Sequence, residues 1–441
     1  ESGDWSFGSL TINSGGTFEA TNGTTTITNE SAGGYAINHD GTLNNNTGIF
    51  NITTVDATLL DLTGTGNLND LVMNTSSIAS IVDTTTIDGN LNISSGTFQS
   101  NNDNRALTIT GDVIINGGQL DSGSEAGARS FGSLTINSGG TYDATSGTTT
   151  ISGDFDNDGT FTHNDGILEF SNFTGNDQRL GGGTFYDIVV SGSGSSWVEL
   201  YAETSATILN SLNHTSGEDL YLRNTFTFGN TTQAATINMD GEGSGDRVSS
   251  STSCKIYGAS ESYPVVITGA RDFMYWDNIN FKWVDFQINT STDDRSKTIT
   301  LDGTSWFRDI TVDTTDIFDT GTSTLYMNNL TLVGNLTSGA GNITNNTNAQ
   351  WLAHFDNADT YTWSSTNISQ GNNTGSLVIN AQSATDGGNN VPDGMWLFGG
   401  EGVACLFSAN DTLTANLTCA SLQVEAAATL VTGEYSINAT G

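Results

Sequence analysis

A near-identical internal repeat restricts the fold of this chain more than any other feature. Residues 6–28 read SFGSLTINSGGTFEATNGTTTIT, and residues 130–152 read SFGSLTINSGGTYDATSGTTTIS. The mild exchanges that separate the two copies are Phe18/Tyr142, Glu19/Asp143, Asn22/Ser146 and Thr28/Ser152. Such a match indicates duplication, and repeats at a fixed period are typical of solenoid folds.

The alignment continues beyond a short insertion. The further matches are DGTLNNNTGIFNI (40–52) with DGTFTHNDGILEF (158–170), GTGNLNDLVMN (64–74) with GGGTFYDIVVS (181–191), and TIDGNLNISSG (86–96) with TILNSLNHTSG (207–217). The first half of the chain is therefore a tandem duplication of a unit of about 120 residues.

A shorter motif recurs inside and beyond the two copies, with two apolar residues on either side of one polar residue. Its examples are FGSLTI (7–12), LNDLVM (68–73), NRALTI (104–109), FGSLTI (131–136), FYDIVV (185–190), FRDITV (307–312), MNNLTL (327–332), TGSLVI (374–379) and CASLQV (419–424). This alternation is that of a strand with one buried face. Glycine-rich segments such as 14–16, 116–118 and 181–183 lie between the motifs and suit sharp turns.

These patterns predict an all-β fold, a β-solenoid (parallel β-helix) whose short strands stack about 4.8 Å apart around an apolar interior. With roughly 20 to 25 residues per coil, we expect about 20 coils in essentially one elongated repeat domain. Its predicted parts are solenoid repeat unit 1 (1–123), solenoid repeat unit 2 (124–237), an irregular aromatic-rich insertion or set of broad coils (238–298), and divergent solenoid repeats (299–441).

The segments TISGDFDNDGTF (150–161) and GGGTFYDIVVSGSG (181–194) also carry a family resemblance. They resemble the Gly/Thr/Asn-rich β-solenoid repeats of large bacterial and archaeal surface proteins. The resemblance covers residues 1–237 well and 300–441 loosely. It implies a β-solenoid that is exported to the cell surface, where such repeats form a stalk, a fibre or an adhesin.

Composition and charge exclude several classes of partner. The chain has 48 acidic and 11 basic residues, a formal net charge of −37, so it lacks the clustered Lys and Arg that bind nucleic acid. The same charge repels anionic membranes and attracts cations, as suits salty or calcium-containing surroundings. No run of about 18 apolar residues is present, so we predict no direct membrane insertion.

One segment has the spacing of a calcium loop. The carboxylates are Asp154, Asp156, Asp158 and Asp165, and Gly159 occupies the sixth position. The alternative is an ordinary Asp-rich coil, which is favoured because Ala36 and Asn38 replace two of the acids in the first copy. A second, weaker candidate comprises Asp240, Glu242 and Asp246. Structural calcium is the one cofactor that the residues suggest.

Catalytic motifs are missing from the sequence. The four histidines are scattered, and no GxSxG, HExxH or phosphate-binding glycine loop is present. A polysaccharide lyase or hydrolase remains an alternative, because paired carboxylates on adjacent coils leave no linear signature. Lys and Arg, which would hold acidic sugars, are scarce. We therefore predict that the protein is not an enzyme.

An aromatic-rich segment at 271–286 is a candidate contact surface. Tyr275, Trp276 and Trp283 could form a face for a sugar or a protein partner, and packing in the core is the alternative. In the same region, Cys254 has no obvious partner. Cys405 and Cys419 could form a disulfide between neighbouring coils, or remain free thiols.

Sequons of the form Asn-x-Ser/Thr are numerous, as expected for a chain rich in these residues. Candidate glycosylation sites are Asn22, Asn51, Asn92, Asn172, Asn329, Asn335, Asn342, Asn367 and Asn416.

Neither end of the sequence reads as a polar cap, so we expect the solenoid to be continued by more polypeptide or by another subunit. The function predicted from the sequence is that of a non-catalytic, extracellular structural protein that assembles head-to-tail with like subunits into a cell-surface filament, sheath or surface layer. The alternative is an adhesin or a tailspike-like protein that binds cell-surface glycans.

Overall fold

A computed structural model describes most of the first half of the chain and the strands of the second. The described residues are 3–100, 104–123, 125–172, 177–192, 197–215, 219–239, 246–260, 262–263, 265–269 and 273–288, and beyond these the strands given below with 429–434 and 436. The described residues form strands and turns without a helix. They divide into two compact units, Glu1–Asn213 and His214–Gly441.

The first unit consists of strands, most of them three to five residues long. They are β1 (Trp5–Phe7), β2 (Leu10–Ile12), β3 (Thr17–Glu19), β4 (Thr24–Ile27), β5 (Tyr35–His39), β6 (Thr42–Asn44), β7 (Ile49–Ile52), β8 (Thr58–Asp61), β9 (Asp70–Ile81), β10 (Thr85–Ile87), β11 (Leu91–Gln99), β12 (Leu107–Ile109), β13 (Val113–Ile115), β14 (Gln119–Asp121), β15 (Arg129–Phe131), β16 (Leu134–Ile136), β17 (Thr141–Asp143), β18 (Thr148–Ile151), β19 (Phe155–Asn157), β20 (Thr160–Thr162), β21 (Ile167–Phe170), β22 (Asp177–Leu180), β23 (Gly183–Val190) and β24 (Trp197–His214).

These strands stack in parallel as three sheets around one axis. Sheet one has the order β1-β4-β7-β9-β11-β13-β16-β19-β22-β24. Sheet two has the order β2-β5-β8-β9-β11-β14-β17-β20. Sheet three begins with β3-β6 and continues as β10-β12-β15-β18-β21-β23. Bridges from Thr42 to Thr65 and from Leu68 to Ile87 lie between its two parts.

This arrangement confirms the predicted all-β fold and parallel β-solenoid. Paired residues on successive coils of the first unit lie 19 to 27 positions apart, close to the 20 to 25 expected for one coil. The solenoid has about ten turns, so the expected number of about twenty is not confirmed.

The interior is built by the apolar residues of the short motif. One column on sheet one contains Ile27, Ile52, Met73, Ile93, Ile115 and Ile136, and all are buried. The residue between the apolar pair is less buried, as in Leu134–Ile136, where Thr135 is half-buried between two buried neighbours. The two-residue period of the sequence therefore assigns the inner and outer faces correctly.

Glycine and threonine hold the corners of successive coils close together. A Cβ on Gly48 would overlap the carbonyl oxygen of Thr21 on the preceding coil, so only glycine fits there without a shift. Buried threonines link coils as well. The Thr145 hydroxyl donates to the carbonyl of Glu125 on the preceding coil and accepts from the N–H of Gly147. Thr21 of the first copy likewise donates to the carbonyl of Gly3 and accepts from the N–H of Gly23.

The two copies of the duplicated unit do not face the same direction. Strand β1 belongs to sheet one, but its counterpart β15 belongs to sheet three. Likewise β2 lies in sheet two and β16 in sheet one, while β3 lies in sheet three and β17 in sheet two. The second copy is therefore turned about the solenoid axis by one sheet relative to the first.

The second unit also consists of parallel strands. They are β25 (Asp219–Phe228), β26 (Ala235–Met239), β27 (Asp246–Gly258), β28 (Val265–Gly269), β29 (Phe273–Ile288), β30 (Thr298–Leu301), β31 (Thr304–Val312), β32 (Ile317–Asp319), β33 (Thr324–Leu332), β34 (Asn335–Thr337), β35 (Asn342–Asn345), β36 (Trp351–His354), β37 (Ile368–Gln370), β38 (Leu377–Asn380), β39 (Ala404–Phe407), β40 (Asp411–Thr412), β41 (Leu417–Cys419), β42 (Ser421–Val424), β43 (Leu430–Val431) and β44 (Ile437–Ala439). Successive members pair in the orders β25-β27-β29-β31-β33-β36-β38 and β30-β32-β34. Three further pairs are β39-β42, β40-β43 and β41-β44.

Candidate functional site

An aromatic cavity opens near the corner between sheets two and three in the second copy. It is lined by residues of β20, β21, β23 and the turns beside them, including Phe161, His163, Phe185, Tyr186 and Asp187. Its enclosed volume is about 10 Å³, which is room for about one water molecule. We call this feature the aromatic cavity.

Four rings surround this cavity. The ring centroids of Phe161 and Phe185 lie 5.4 Å apart at an interplanar angle of 37°. His163 and Tyr186 stack with centroids 5.9 Å apart and an angle of 20°. Phe185 is buried, whereas the other three rings are half-buried. The cavity therefore has an aromatic wall that solvent can reach.

Two carboxylates accompany the rings. Asp187 lines the cavity and accepts hydrogen bonds from the Asn210 amide and the Ser211 hydroxyl. An Asp165 carboxylate oxygen lies 3.4 Å from Nδ1 of His163. The N–H of Asp165 also donates to that Nδ1 at 3.0 Å, which places the proton of a neutral His163 on Nε2.

The turn that carries His163 has an unusual backbone that both copies share. Asn164 and Asp165 have φ angles of 46° and 57°, in the left-handed region. The equivalent Asn46 and Thr47 have φ angles of 45° and 63°. The Asn164 amide stabilises the turn by donating to the carbonyl of Ala144 and to the Asp143 carboxylate. The backbone at this position is thus retained while the side chains differ.

The first copy lacks the aromatic side chains at these positions. Asn45 aligns with His163, Asn69 with Tyr186, and Leu43 with Phe161. The Asn45 amide donates instead to the carbonyl of Asn67 at 2.9 Å. Sequence reasoning missed the aromatic cavity, although the concentration of aromatic exchanges in these aligned segments could have indicated it.

A buried polar network occupies the interior at the junction of the two copies. Arg129 aligns with Trp5 of the first copy and is 1% exposed. Its guanidinium donates to the hydroxyls of Ser122 and Ser100, both at 2.9 Å, and lies 3.9 Å from Glu125. Burial lowers the pKa of Arg129, while Tyr142 and Glu125 act in the opposite direction. This network connects consecutive coils.

The pKa values of Asp121 and Tyr142, which lie near this junction, are also shifted. Asp121 on β14 lies directly opposite Asp143 on β17. Burial, followed by the Asp143 charge, raises the pKa of Asp121. Burial also raises the pKa of Tyr142 to about 12, against the effect of its hydrogen bond with Thr149 at 2.9 Å.

The structure does not gather the predicted calcium ligands into a cluster. Among the described residues, no three His, Cys, Asp or Glu side chains are placed to hold a metal ion together. Asp154 instead accepts from the backbone N–H and Nε of Arg179, at 2.9 and 3.1 Å. Asp156 lies within β19 and pairs with Thr135, Asp158 is exposed, and Asp165 belongs to the left-handed turn.

The remaining predicted contact and cysteine residues lie in the second unit. Asp246 begins β27, whereas Asp240 and Glu242 lie outside the described residues. Tyr275, Trp276 and Trp283 are positions of the long strand β29. Cys254 lies in β27 and pairs with Ile279. Cys405 in β39 pairs with Leu422, and Cys419 in β41 pairs with Ala439; the contact face and the disulfide stay predictions.

The predicted glycosylation sites differ in their exposure and in their hydrogen bonding. Asn22 is exposed at a bend, whereas Asn51 is half-buried in β7. The side-chain Oδ1 of Asn92 accepts from the Asn116 side-chain amide at 2.9 Å, and Asn172 is half-buried. Asn329, Asn335 and Asn342 are positions of β33, β34 and β35, while Asn367 and Asn416 lie outside the described residues.

Comparisons with known proteins add no assignment to this geometry. No protein-family model matches the chain, and neither a curated protein nor a solved structure matches it. Within the described part of the chain, no helix has the length and apolarity needed to cross a membrane.

Proposed function

We propose that this chain is a non-catalytic structural protein of the cell exterior, and that its β-solenoid is a subunit of a filament, sheath or surface layer. The observation that carries the proposal is the uniform bonding between successive coils. Each coil of the first unit adds its strands in parallel to those of the preceding coil, so the framework extends by repetition. An extensible framework of this kind suits a load-bearing or space-filling role.

Side chains on the outer surface reinforce this bonding. At the corner before sheet one, the Asp70 carboxylate accepts from the N–H of Asn90 at 2.7 Å, and the Asn90 side chain accepts from the N–H of Asp112 at 2.8 Å. A second row runs from Asn137 to Asn116 and from Asn116 to Asn92, with amide bonds of 2.7 and 2.9 Å. In these rows, polar surface groups form hydrogen bonds from one coil to the next, which supports a structural role.

The proposal includes the finer features predicted from the sequence. About twenty coils would follow if the parallel strands of the second unit continue the same coil. Head-to-tail contacts between like subunits would build the filament, and the excess of acidic residues, 48 against 11 basic, would allow calcium to bridge the contacts. Glycans at sites such as the exposed Asn22 would fit an extracellular location.

Electron microscopy of the native material, with and without a calcium chelator, tests this proposal. Fibres or sheets are the expected result, and their loss on chelation would assign calcium to the contacts between subunits. Discrete short particles under both conditions would contradict the structural role. They would favour an adhesin, which an array of cell-surface glycans would then test.

A further inference from the structure

We propose that Asn22 is a site of spontaneous covalent modification, at which the side-chain amide is lost as ammonia and an isoaspartyl link forms. This inference does not depend on the structural role, because it rests on the chemistry of one corner of the first coil. The sequence places glycine directly after two asparagines, as Asn22–Gly23 and Asn116–Gly117. A glycine has no side chain to shield its own backbone nitrogen from the residue before it.

The reaction is a cyclisation followed by hydrolysis. The backbone nitrogen of Gly23 gives up its proton and attacks Cγ of Asn22. The new C–N bond replaces the bond from Cγ to Nδ2, and the departing amide group takes up the proton and leaves as ammonia. Water then opens the five-membered imide. Cleavage at the former side-chain carbonyl gives aspartate, and cleavage at the main-chain carbonyl gives isoaspartate. Water is the co-reactant, and no group is oxidised or reduced.

The structure leaves the Asn22 side chain able to reach the attacking nitrogen. It is exposed at a bend, and none of the described residues forms a hydrogen bond with it. The N–H of Gly23 donates to Oγ1 of Thr21 at 3.0 Å, which restrains the nitrogen but not the carboxamide. Exposed side chains exchange rotamers within nanoseconds, so Cγ of Asn22 repeatedly approaches that nitrogen.

Asn116 is the internal reference, because its carboxamide is held from both sides. Its amide donates to Oδ1 of Asn92 at 2.9 Å, and its own Oδ1 accepts from the Asn137 amide at 2.7 Å. Rotation of this side chain towards Gly117 would break both hydrogen bonds. The same Asn-Gly dipeptide should therefore react fast at Asn22 and slowly at Asn116.

An isoaspartyl link would not fit the corner that contains Asn22. The link adds one carbon to the main chain, and the preceding turn of chain lies too close to accept it. A Cβ on Gly23 would lie 2.7 Å from both the carbonyl oxygen of Gly3 and a carboxylate oxygen of Asp4. Modification should therefore break the bond of 2.9 Å from the Thr24 N–H to the Asp4 carboxylate, and so loosen the first coil.

Mildly alkaline incubation of the full chain tests the proposal. The protein should come from a host that adds no glycans, because a glycan on Nδ2 would block the loss of ammonia. Peptide mapping by mass spectrometry and labelling by an isoaspartyl methyltransferase measure both sites. In the folded chain we expect Asn22 to react about tenfold faster than Asn116 or more, since each hydrogen bond to the latter slows it by up to about that factor. In urea the two rates should be similar. Equal rates in the folded chain, or no reaction at Asn22, would overturn the proposal.

Substitutions test the two parts of the argument. Asn22→Ser copies Ser146 of the second repeat, so the fold accommodates it, and it should abolish labelling at this corner. Asn92→Ala removes an acceptor from Asn116 and should speed the reaction there by about tenfold. An unchanged rate at Asn116, in a variant whose melting temperature shows that it is folded, would contradict protection by hydrogen bonds. After incubation, the Thr24 amide should exchange its hydrogen faster in the original chain than in Asn22→Ser, and equal exchange would refute the loosening of the coil.

Discussion

The guanidinium of Arg129 lies 3.9 Å from the carboxylate of Glu125 in the interior of the solenoid, where the first copy carries Trp5 at the arginine position. The pair is completed by the Ser100 hydroxyl, which donates to Glu125 and accepts from Arg129. A buried charge is tolerated only when its hydrogen-bonding groups are satisfied, so the members of this network depend on one another.

Removal of Arg129 alone should be costly. Arg129→Ala removes the guanidinium from the buried Ser100 and Ser122 hydroxyls and from the half-buried Glu125 carboxylate, and we expect the unfolding free energy to fall by about 3–5 kcal/mol. The double variant Glu125→Gln/Arg129→Met removes both charges and fills the space, so it should recover most of that loss. Thermal melting followed by circular dichroism measures both. A double variant no more stable than Arg129→Ala would show that the ion pair is not the source of the effect.

Asp121 should destabilise the fold at neutral pH. Its pKa is raised in the folded state, so its contribution to stability is present below the unfolded pKa and lost as the pH rises through the folded value. Asp121→Asn should therefore raise the unfolding free energy at pH 7 by about 0.2–1 kcal/mol, because it removes a half-buried charge that also lies opposite Asp143. Urea unfolding at pH 7 and at pH 3 is the measurement, and the gain should vanish at pH 3.

The control for this prediction is Asp158→Asn, because Asp158 is exposed. It should leave stability unchanged at either pH. An equal gain from both substitutions at pH 7 would mean that the net charge of the chain matters, rather than the facing pair.

The ionisation of Tyr142 should contribute to the loss of stability at high pH. Its folded pKa of about 12 exceeds the ordinary value of 10.0, so its stabilising contribution holds below pH 10 and is lost between pH 10 and about 12. Tyr142→Phe, which copies Phe18 of the first repeat, removes this titration and the bond with Thr149. We expect a loss of about 1 kcal/mol at pH 7 and a flatter decline of stability above pH 10. An unchanged alkaline profile in melting experiments would contradict this assignment.

Substitution of Gly48 should destabilise the fold, because successive coils approach each other closely there. A methyl group there would overlap the Thr21 carbonyl oxygen, so Gly48→Ala should lower the unfolding free energy by about 1–3 kcal/mol. Gly8 is the matched control, since a Cβ there meets nothing within 4 Å. Comparison of the two melting temperatures tests the close approach, and similar values for both variants would refute it.

The repeat and its two-residue period were sufficient to predict the solenoid, because burial follows alternation whenever short strands share one interior. Leu134 and Ile136 face inward as expected. The interior arginine could not be foreseen, since its partner Ser100 comes from the preceding coil. Spacing along the chain does not reveal such contacts.

The same limitation explains the outcome for the calcium loop and the aromatic cavity. The loop pattern assumes a compact turn, but Asp156 lies in a strand and Asp154 is held by Arg179, so the carboxylates spread over several corners. The cavity needs Phe161 and Phe185 from successive coils to meet. Its residues are recognisable in sequence only when the two copies are compared position by position.

The one-sheet turn between the copies has a consequence for how such a chain grows. Since a coil has three sides, each added unit of this length is rotated by a third of a revolution about the solenoid axis relative to the unit before it. A fourth copy would therefore have the orientation of the first. Each gene duplication would then add a copy that is both moved along the axis and rotated about it. A single recognition patch could be distributed evenly around a fibre without any change in its own residues.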